Sequence, residues 1–248
     1  MVRIILSGAL GKMGRVIGSI VAERNDCTIV AGIDLNTDPL VSFPVYSSPF
    51  AIKEEADVII DFSHPSLLVD LLEYAVSKKL PAVIATTGLS GEQIDLIHTY
   101  SKQLPLFFTA NMSLGVNLMA ELAKKAAQIL QGFDIEIIEK HHNQKIDAPS
   151  GTALMLAEEI NNALPSPYQY VYDRHSKRQK RTKAEIGLHS VRGGTIVGEH
   201  EVLFCGKDEI LSISHSAASK DVFATGAVAA AVFLHDKPKG LYSMKDII

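Results

Sequence analysis

The chain has 248 residues, 47% hydrophobic and 21% charged, which suits a globular protein of one large or two modest domains. A formal net charge of −4 argues against a nucleic-acid partner held by phosphate neutralisation, and two cysteines, Cys27 and Cys205, make no disulfide framework. No run approaches ~20 consecutive apolar residues and Met1 to Leu6 is too short for a signal peptide's apolar region, so no membrane partner is expected and the cytoplasm is the expected location.

In chain order, Val2 to Ser7 is a compact apolar run and predicts a buried strand. Gly14 to Arg24 places Val16, Ile17, Ile20 and Val21 at helical spacing. Strand-like runs follow at Thr28 to Asp34, Asp57 to Phe62, Pro81 to Thr86 and Leu106 to Thr109, with helices predicted over Leu67 to Lys78 and Ser90 to Lys102. Strand and helix alternating in this way predict an α/β fold: a parallel, Rossmann-like sheet with helices on both faces.

The pattern changes after Asn111. Gly115 to Leu130 reads as a long helix, Phe133 to Glu139 as a half-exposed strand, and Ala153 to Leu164 as a helix stopped by Pro165. Thr182 to Ser190, Thr195 to Phe204 and Glu209 to Ser216 are three strands in succession, which predicts a second, α+β domain on an antiparallel or mixed sheet. The expected division is 1–112 and 113–216, with 217–248, carrying an alanine-rich helix from Asp221 to Leu234, returning to the first domain. The charge run Arg174, Lys177, Arg178, Lys180, Arg181 and Lys183 lacks interleaved aromatics and reads as a solvated loop.

Between the first strand and first helix lies Gly8-Ala9-Leu10-Gly11-Lys12-Met13-Gly14, a GxxGxxG form of the dinucleotide fingerprint. Glycines let the backbone turn sharply and approach a pyrophosphate, whose charge then meets free N–H groups at the helix start. Asp34 ends the second strand, 20 residues beyond Gly14, where an acid accepts bonds from ribose hydroxyls and repels a 2′-phosphate. Leu35 and Asn36 add no positive charge, so NADH is favoured over NADPH; Lys12 and Arg15 near the loop soften the preference. Ala85-Thr86-Thr87-Gly88 and Thr109-Ala110-Asn111-Met112 fall at the carboxyl ends of later strands, where open α/β sheets bind ligands. His64 reads as an ordinary loop histidine.

The segment Glu139-Lys140-His141-His142-Asn143-Gln144-Lys145-Ile146-Asp147-Ala148-Pro149-Ser150-Gly151-Thr152-Ala153 joins a strand to a helix and gathers two histidines and a lysine within five positions. Histidine gives or takes a proton near neutral pH, and lysine supplies a fixed positive charge. The helix start near Ser150-Gly151-Thr152 offers backbone N–H groups to a carboxylate, with Pro149 suited to the first helical turn. Nothing nearby completes a zinc ligand set around His141 and His142.

This loop resembles the central signature of the dihydrodipicolinate reductase family, E-x-H-H-x-x-K-x-D-x-P-S-G-T-A, matched at Glu139, His141, His142, Lys145, Asp147, Pro149, Ser150, Gly151, Thr152 and Ala153. The resemblance extends to Gly8 through Gly14, Thr86-Thr87-Gly88, Asn111 with Gly115-Val116-Asn117, Arg192-Gly193-Gly194, Val197-Gly198-Glu199-His200 and Phe223 to Leu234. It implies an NAD(P)H-dependent reductase of the cyclic imine dicarboxylate on the route to diaminopimelate and lysine. It implies His141 as proton donor or acceptor, Lys145 as proton donor, and His142, Gly151 and Thr152 as substrate ligands. It assigns the cofactor to Gly8, Ala9, Leu10, Gly11, Lys12, Met13, Asp34, Ala85, Thr86, Thr87, Thr109, Ala110, Asn111 and Met112. It also implies a homotetramer built through the sheets of the second domains. Leu35 departs from the arginine that many relatives carry beside the acid. Two other readings carry less: a dehydrogenase with a cysteine nucleophile finds neither Cys27 nor Cys205 well placed, and a nucleotide sensor has no use for proton donors.

Overall fold

Apolar runs too short for helices and lacking an alternating polar face pair with one another as central strands. In a computed structural model describing residues 1–36 and 41–248 they form one seven-stranded parallel sheet. Its elements are β1 (Val2–Ser7), α1 (Lys12–Ala22), β2 (Cys27–Ile33), β3 (Val45–Tyr46), β4 (Val58–Asp61), α2 (Leu68–Lys78), β5 (Ala82–Ile84), α3 (Gly91–Tyr100) and β6 (Pro105–Phe108). The other elements, in chain order, are α4 (Leu114–Ile129), β7 (Asp134–His141), α5 (Gly151–Asn162), β8 (Gln169–Val171), β9 (Glu185–Arg192), β10 (Gly198–Cys205), β11 (Ile210–Ala217), α6 (Asp221–Leu234) and β12 (Gly240–Tyr242).

Two units result: Met1–Ser113 with Asp221–Ile248, and Leu114–Lys220. In the first, strand order is β12-β6-β5-β4-β1-β2-β3, with every pair parallel. Leu68, Leu71, Leu72 and Ala75 of α2 and Ile97 of α3 pack with Ile5, Ile59, Ile84 and Leu106. Side chains alternate along a strand, so Ile4, Leu6, Ile60 and Val83, also buried, belong to the opposite face. There α6 contacts β4, β5, β6 and α1. Ala224, Ala227, Ala230 and Ala231 let it come close, and at Gly226 a Cβ would stand 1.7 Å from the carbonyl oxygen of Met112. The reversal of strand order between β1 and β4 makes a crevice at the carboxyl ends of these strands, the ligand edge of such a sheet.

The second unit has a five-stranded sheet, β11-β10-β7-β9-β8. The β10 strand runs antiparallel to β7 and β11, while β7–β9 and β8–β9 are parallel, so the sheet is mixed. Burial alternates along β7, with Ile135, Ile137, Glu139 and His141 inside. Ile135 and Ile137, with Ile186, Leu188, Val202 and Phe204, pack on Ala120, Ala123 and Ala127 of α4 and Leu156 and Ile160 of α5. The expected class therefore holds: a Rossmann-like α/β unit and an α+β unit on a mixed sheet.

Three details differ from expectation. The two- and three-residue strands β3, β8 and β12 had no visible pattern. Pro149 precedes the helix cap rather than opening the first turn, because Ser150 adopts extended backbone and its Oγ accepts the Ala153 N–H at 3.2 Å. The basic run is not wholly solvated: Arg181 pairs with Asp134 at 2.7 Å and Glu136 at 3.1 Å, and Arg174 with Glu185 at 2.9 Å.

Candidate functional site

In the first unit the glycine loop is held by backbone packing. Gly8 has φ +77°, a left-handed conformation that side chains resist, and a Cβ there would lie 2.6 Å from the Phe62 carbonyl oxygen. A Cβ on Gly14 would lie 2.2 Å from the Gly8 carbonyl oxygen. Gly11 caps α1 without a side-chain bond, and a helix leaves its first N–H groups outside its own ladder. The Gly8 and Ala9 N–H groups bond to the Ile33 carbonyl and the Gly11 N–H to the Gly8 carbonyl, so the donors this turn offers a pyrophosphate are those of the first turn of α1. Lys12 is exposed, Leu10 and Met13 are half-buried, and Ala9 is buried.

Asp34 is joined to this loop: its Oδ2 accepts the Leu10 N–H at 2.9 Å and its Oδ1 the Asn36 N–H at 3.3 Å. Leu35 beside it is 80% exposed. Asp61 is fully buried at the end of β4. Its Oδ1 accepts the Ser63 hydroxyl and its Oδ2 the Thr86 hydroxyl, both at 2.6 Å, so one carboxylate ties the loop after β4 to the loop after β5. The Thr86 side chain is accordingly turned inward, while Thr87 is exposed and Ala85 half-buried. After β6, Ala110 is exposed, Thr109 Oγ1 donates to the Asn111 carbonyl at 3.4 Å, and Asn111 Oδ1 accepts the Ser113 N–H at 2.9 Å. The Met112 side chain is buried. His64 Nδ1 accepts the Ser66 N–H at 3.2 Å as a local turn cap.

In the second unit the loop from His142 to Ser150 is anchored through Glu139, whose side chain is 1% exposed. Glu139 Oε2 meets His141 Nδ1 at 2.6 Å and Arg192 Nη1 at 2.8 Å. Its Oε1 accepts from Arg192 Nη2 at 2.7 Å and from the Ser150 N–H at 3.1 Å. Burial would raise the Glu139 pKa. The Arg192 guanidinium, the His141 ring, the Ser190 hydroxyl and the Ser150 N–H outweigh it and bring the value down to about 2. Arg192 also donates to the Asp147 carbonyl at 2.6 Å, and the Lys145 ammonium pairs with the Asp147 carboxylate at 2.7 Å.

Beside this cluster, His200 Nε2 lies 3.1 Å from Ser150 Oγ, and its ring meets that of His141 edge to face at 5.2 Å. His200 and His215 are directly opposite on β10 and β11. Burial, then the neighbouring His141, pushes the His200 pKa down to about 4. Burial lowers that of His215 as well. His142 is half-buried, Gly151 exposed and Thr152 half-buried at the start of α5.

The structure thus gathers His141, Lys145, Ser150 and the start of α5 around Glu139 and Arg192. Sequence reasoning gave Glu139, Arg192 and His200 no role. The signal for Glu139 was present: on β7 it shares a face with Ile135 and Ile137, and a buried acid requires a cation. Burial raises the thiol pKa of both Cys27 and Cys205, which disfavours a cysteine nucleophile. Among the described residues no group of histidine, cysteine or acid side chains forms a metal site.

Comparison with known proteins gives one consistent result. The N-terminal family model of dihydrodipicolinate reductase matches residues 2–112, and the C-terminal one matches 115–248. The chain is 53% identical over 248 residues to a 4-hydroxy-tetrahydrodipicolinate reductase of Caldanaerobacter subterraneus subsp. tengcongensis, covering 100% of this chain and 98% of that one. It is 49% identical to a 4-hydroxy-tetrahydrodipicolinate reductase of Clostridium tetani, covering 98% and 96%. A dipicolinate-bound dihydrodipicolinate reductase from Paenisporosarcina sp. TG-14 superposes with a TM-score of 0.82 at 28% identity over 100% of both chains.

Both buried groups make the fold acid-sensitive. Unfolded, histidine protonates near 6.5, whereas folded His200 does so only at about 4. The unfolded chain therefore binds more protons in that window, and stability falls as pH drops from 6.5 to 4. Glu139 adds a second loss from 4.5 down towards about 2. Between pH 6.5 and 5 the His200 contribution approaches about 1.4 kcal/mol per pH unit, with His215 acting in the same direction. Denaturant unfolding at pH 7.5, 6 and 5 should show this loss, and His200→Gln should flatten it. An equally steep slope in the variant would assign the loss elsewhere.

Proposed function

The chain belongs to the dihydrodipicolinate reductase family, and from that premise we propose how its residues divide the reaction. It is an NAD(P)H-dependent oxidoreductase that reduces 4-hydroxy-tetrahydrodipicolinate, or its dehydrated form dihydrodipicolinate, to tetrahydrodipicolinate in lysine biosynthesis. One hydride and one proton are added to the substrate as the nicotinamide is oxidised; dehydration of the hydroxylated form also releases water.

The first unit is the dinucleotide-binding domain. Gly8 to Met13 seat the pyrophosphate at the start of α1, Asp34 takes the adenosine ribose, and the loops 85–87 and 109–112 take the nicotinamide half. Bound there, the reduced nicotinamide supplies the hydride. The proposed preference is for NADH. The Asp34 carboxylate stands beside the glycine loop, tied to Leu10, and repels a 2′-phosphate, while Leu35 provides no cation to neutralise one.

The second unit is the substrate-binding and oligomerisation domain. Gly151 and Thr152 N–H groups at the start of α5, with His142, hold substrate carboxylate. Negative charge builds on the substrate as hydride arrives, and His141 with Lys145 supplies the compensating proton. The observation that carries this reading is the tethering of His141 and the start of α5 to one carboxylate, with Lys145 on the loop between them. A dicarboxylate is matched there by lysine, histidine and helix N–H groups. Dipicolinate, bound to the Paenisporosarcina relative, has the same two-carboxylate ring chemistry.

A homotetramer through the second-unit sheets is the proposed assembly. The sheet face opposite α4 and α5 exposes Val191 and Ile210, which a partner sheet would cover. Among the described residues no helix is long and apolar enough to cross a membrane. The two free cysteines suit the cytoplasm, which is the proposed location.

Turnover of freshly generated substrate, followed by NADH and NADPH absorbance in parallel, tests the reading. Activity with both and a higher kcat/KM for NADH is expected, and a preference for NADPH would refute the role given to Asp34. Lys145→Ala should lower kcat by about 10²- to 10⁴-fold with NADH affinity within about twofold of wild type. Equal loss of turnover and NADH binding would remove Lys145 from the chemistry.

A further inference from the structure

The reading above gives work to His141 and α5 and none to the buried acid between them. Resting on that reading, we propose that Glu139, clamped by Arg192, is a positioning residue for the reaction: one carboxylate sets the tautomer of His141 and seats the start of α5. The carboxylate is saturated. Oε2 is shared by His141 Nδ1 and Arg192 Nη1, and Oε1 by Arg192 Nη2 and the Ser150 N–H. An ionised carboxylate has two oxygens and only accepts, so this one has no capacity left for substrate and no proton to give. Its influence passes through its partners.

The first partner is His141. An acceptor at 2.6 Å requires the proton to sit on Nδ1. Nε2 is then the nitrogen that exchanges a proton with substrate. Gly198 keeps that edge clear, since a Cβ there would stand 3.1 Å from Nε2. The second partner is Ser150, whose N–H is held while its Oγ caps α5, which fixes where the Gly151 and Thr152 N–H groups lie. Arg192 extends the frame to the loop by bonding the Asp147 carbonyl. Of the other titratable groups, His200 from β10 meets the His141 ring edge to face and is itself opposite His215 on β11, while Lys145 and Asp147 pair with each other on the loop.

Glutamine at this position keeps the shape and changes the logic. It has one oxygen, and Arg192 and Ser150 both compete for it. Its NH2 is left facing Nδ1 and imposes the opposite tautomer without supporting an imidazolium. Glu139→Gln should lower kcat by about 100-fold. Dipicolinate should inhibit it more weakly, while NADH affinity stays within about twofold of wild type. A folded variant, judged by circular dichroism and NADH binding, with wild-type kcat and wild-type inhibition by dipicolinate would overturn the proposal. If Glu139→Gln does not fold, Arg192→Lys is decisive: it keeps the charge but loses the two-pronged clamp. A fall in kcat of about tenfold with weaker inhibition by dipicolinate and unchanged NADH affinity is expected, and wild-type kcat and inhibition would overturn the proposal. Wild-type enzyme that fails to reduce dihydrodipicolinate would instead refute the function on which this inference rests.

Discussion

A carboxylate removed from water costs several kcal/mol unless its charge is met by well-placed donors, and Glu139 is the point where the second unit meets that demand. Besides His141, its donors come from other elements of the unit: Arg192 on β9, 53 residues away, and the Ser150 N–H at the head of α5, 11 residues away. Satisfying the charge therefore fixes the ends of β7 and β9, the loop after β7 and the cap of α5 in one arrangement. The proposed substrate chemistry needs the same groups fixed in relation to one another. Stability and positioning thus draw on a single cluster, so a substitution at Arg192 that strands the carboxylate damages both.

The first unit solves a parallel problem with backbone. The loop from Gly8 to Gly14 is so close to the Phe62 carbonyl, and to its own carbonyls, that side chains at Gly8 and Gly14 have no room. The result is a tight turn whose own N–H groups bond to Ile33, Gly8 and Asp34 and which leads straight into the first turn of α1. Asp34 and Asp61 extend the principle, each binding segments distant in sequence: Asp34 holds the glycine loop, and Asp61 joins the loops after β4 and β5. In the proposed role of Asp34, cofactor specificity rests on charge beside a fixed loop, where Leu35 adds no cation.

Much of the fold was legible because it is written in local patterns. The apolar runs of β1, β4, β5 and β6 and the helical spacing of α1 and α2 follow from periodicity, and the glycine loop and the His-His-Lys loop from motifs. The strands β3, β8 and β12 are two or three residues long, too short to show a period, and exist because a neighbouring strand offers unpaired backbone. Arg174 and Arg181 looked solvated because their acidic partners lie on β7 and at the start of β9. Pro149 lies two positions before the first helical residue, Gly151, because the capping hydroxyl of Ser150, not the proline, decides where α5 starts. The site followed the same rule. His141 and Lys145 announce themselves by residue type, but Arg192 and His200 acquire meaning only when strand pairing brings β9 and β10 beside Glu139.

The most direct test is the charge state of the buried acid. Carbon-13 carboxyl labelling of glutamate, with Glu139 assigned by comparison with Glu139→Gln, allows its titration to be followed by NMR. The Glu139 signal should keep its ionised shift down to the acid limit of the folded protein, in keeping with a pKa of about 2. A titration midpoint near 4.5, the ordinary glutamate value, would show that the carboxylate is neither buried nor clamped as described, and the frame built on it would not stand.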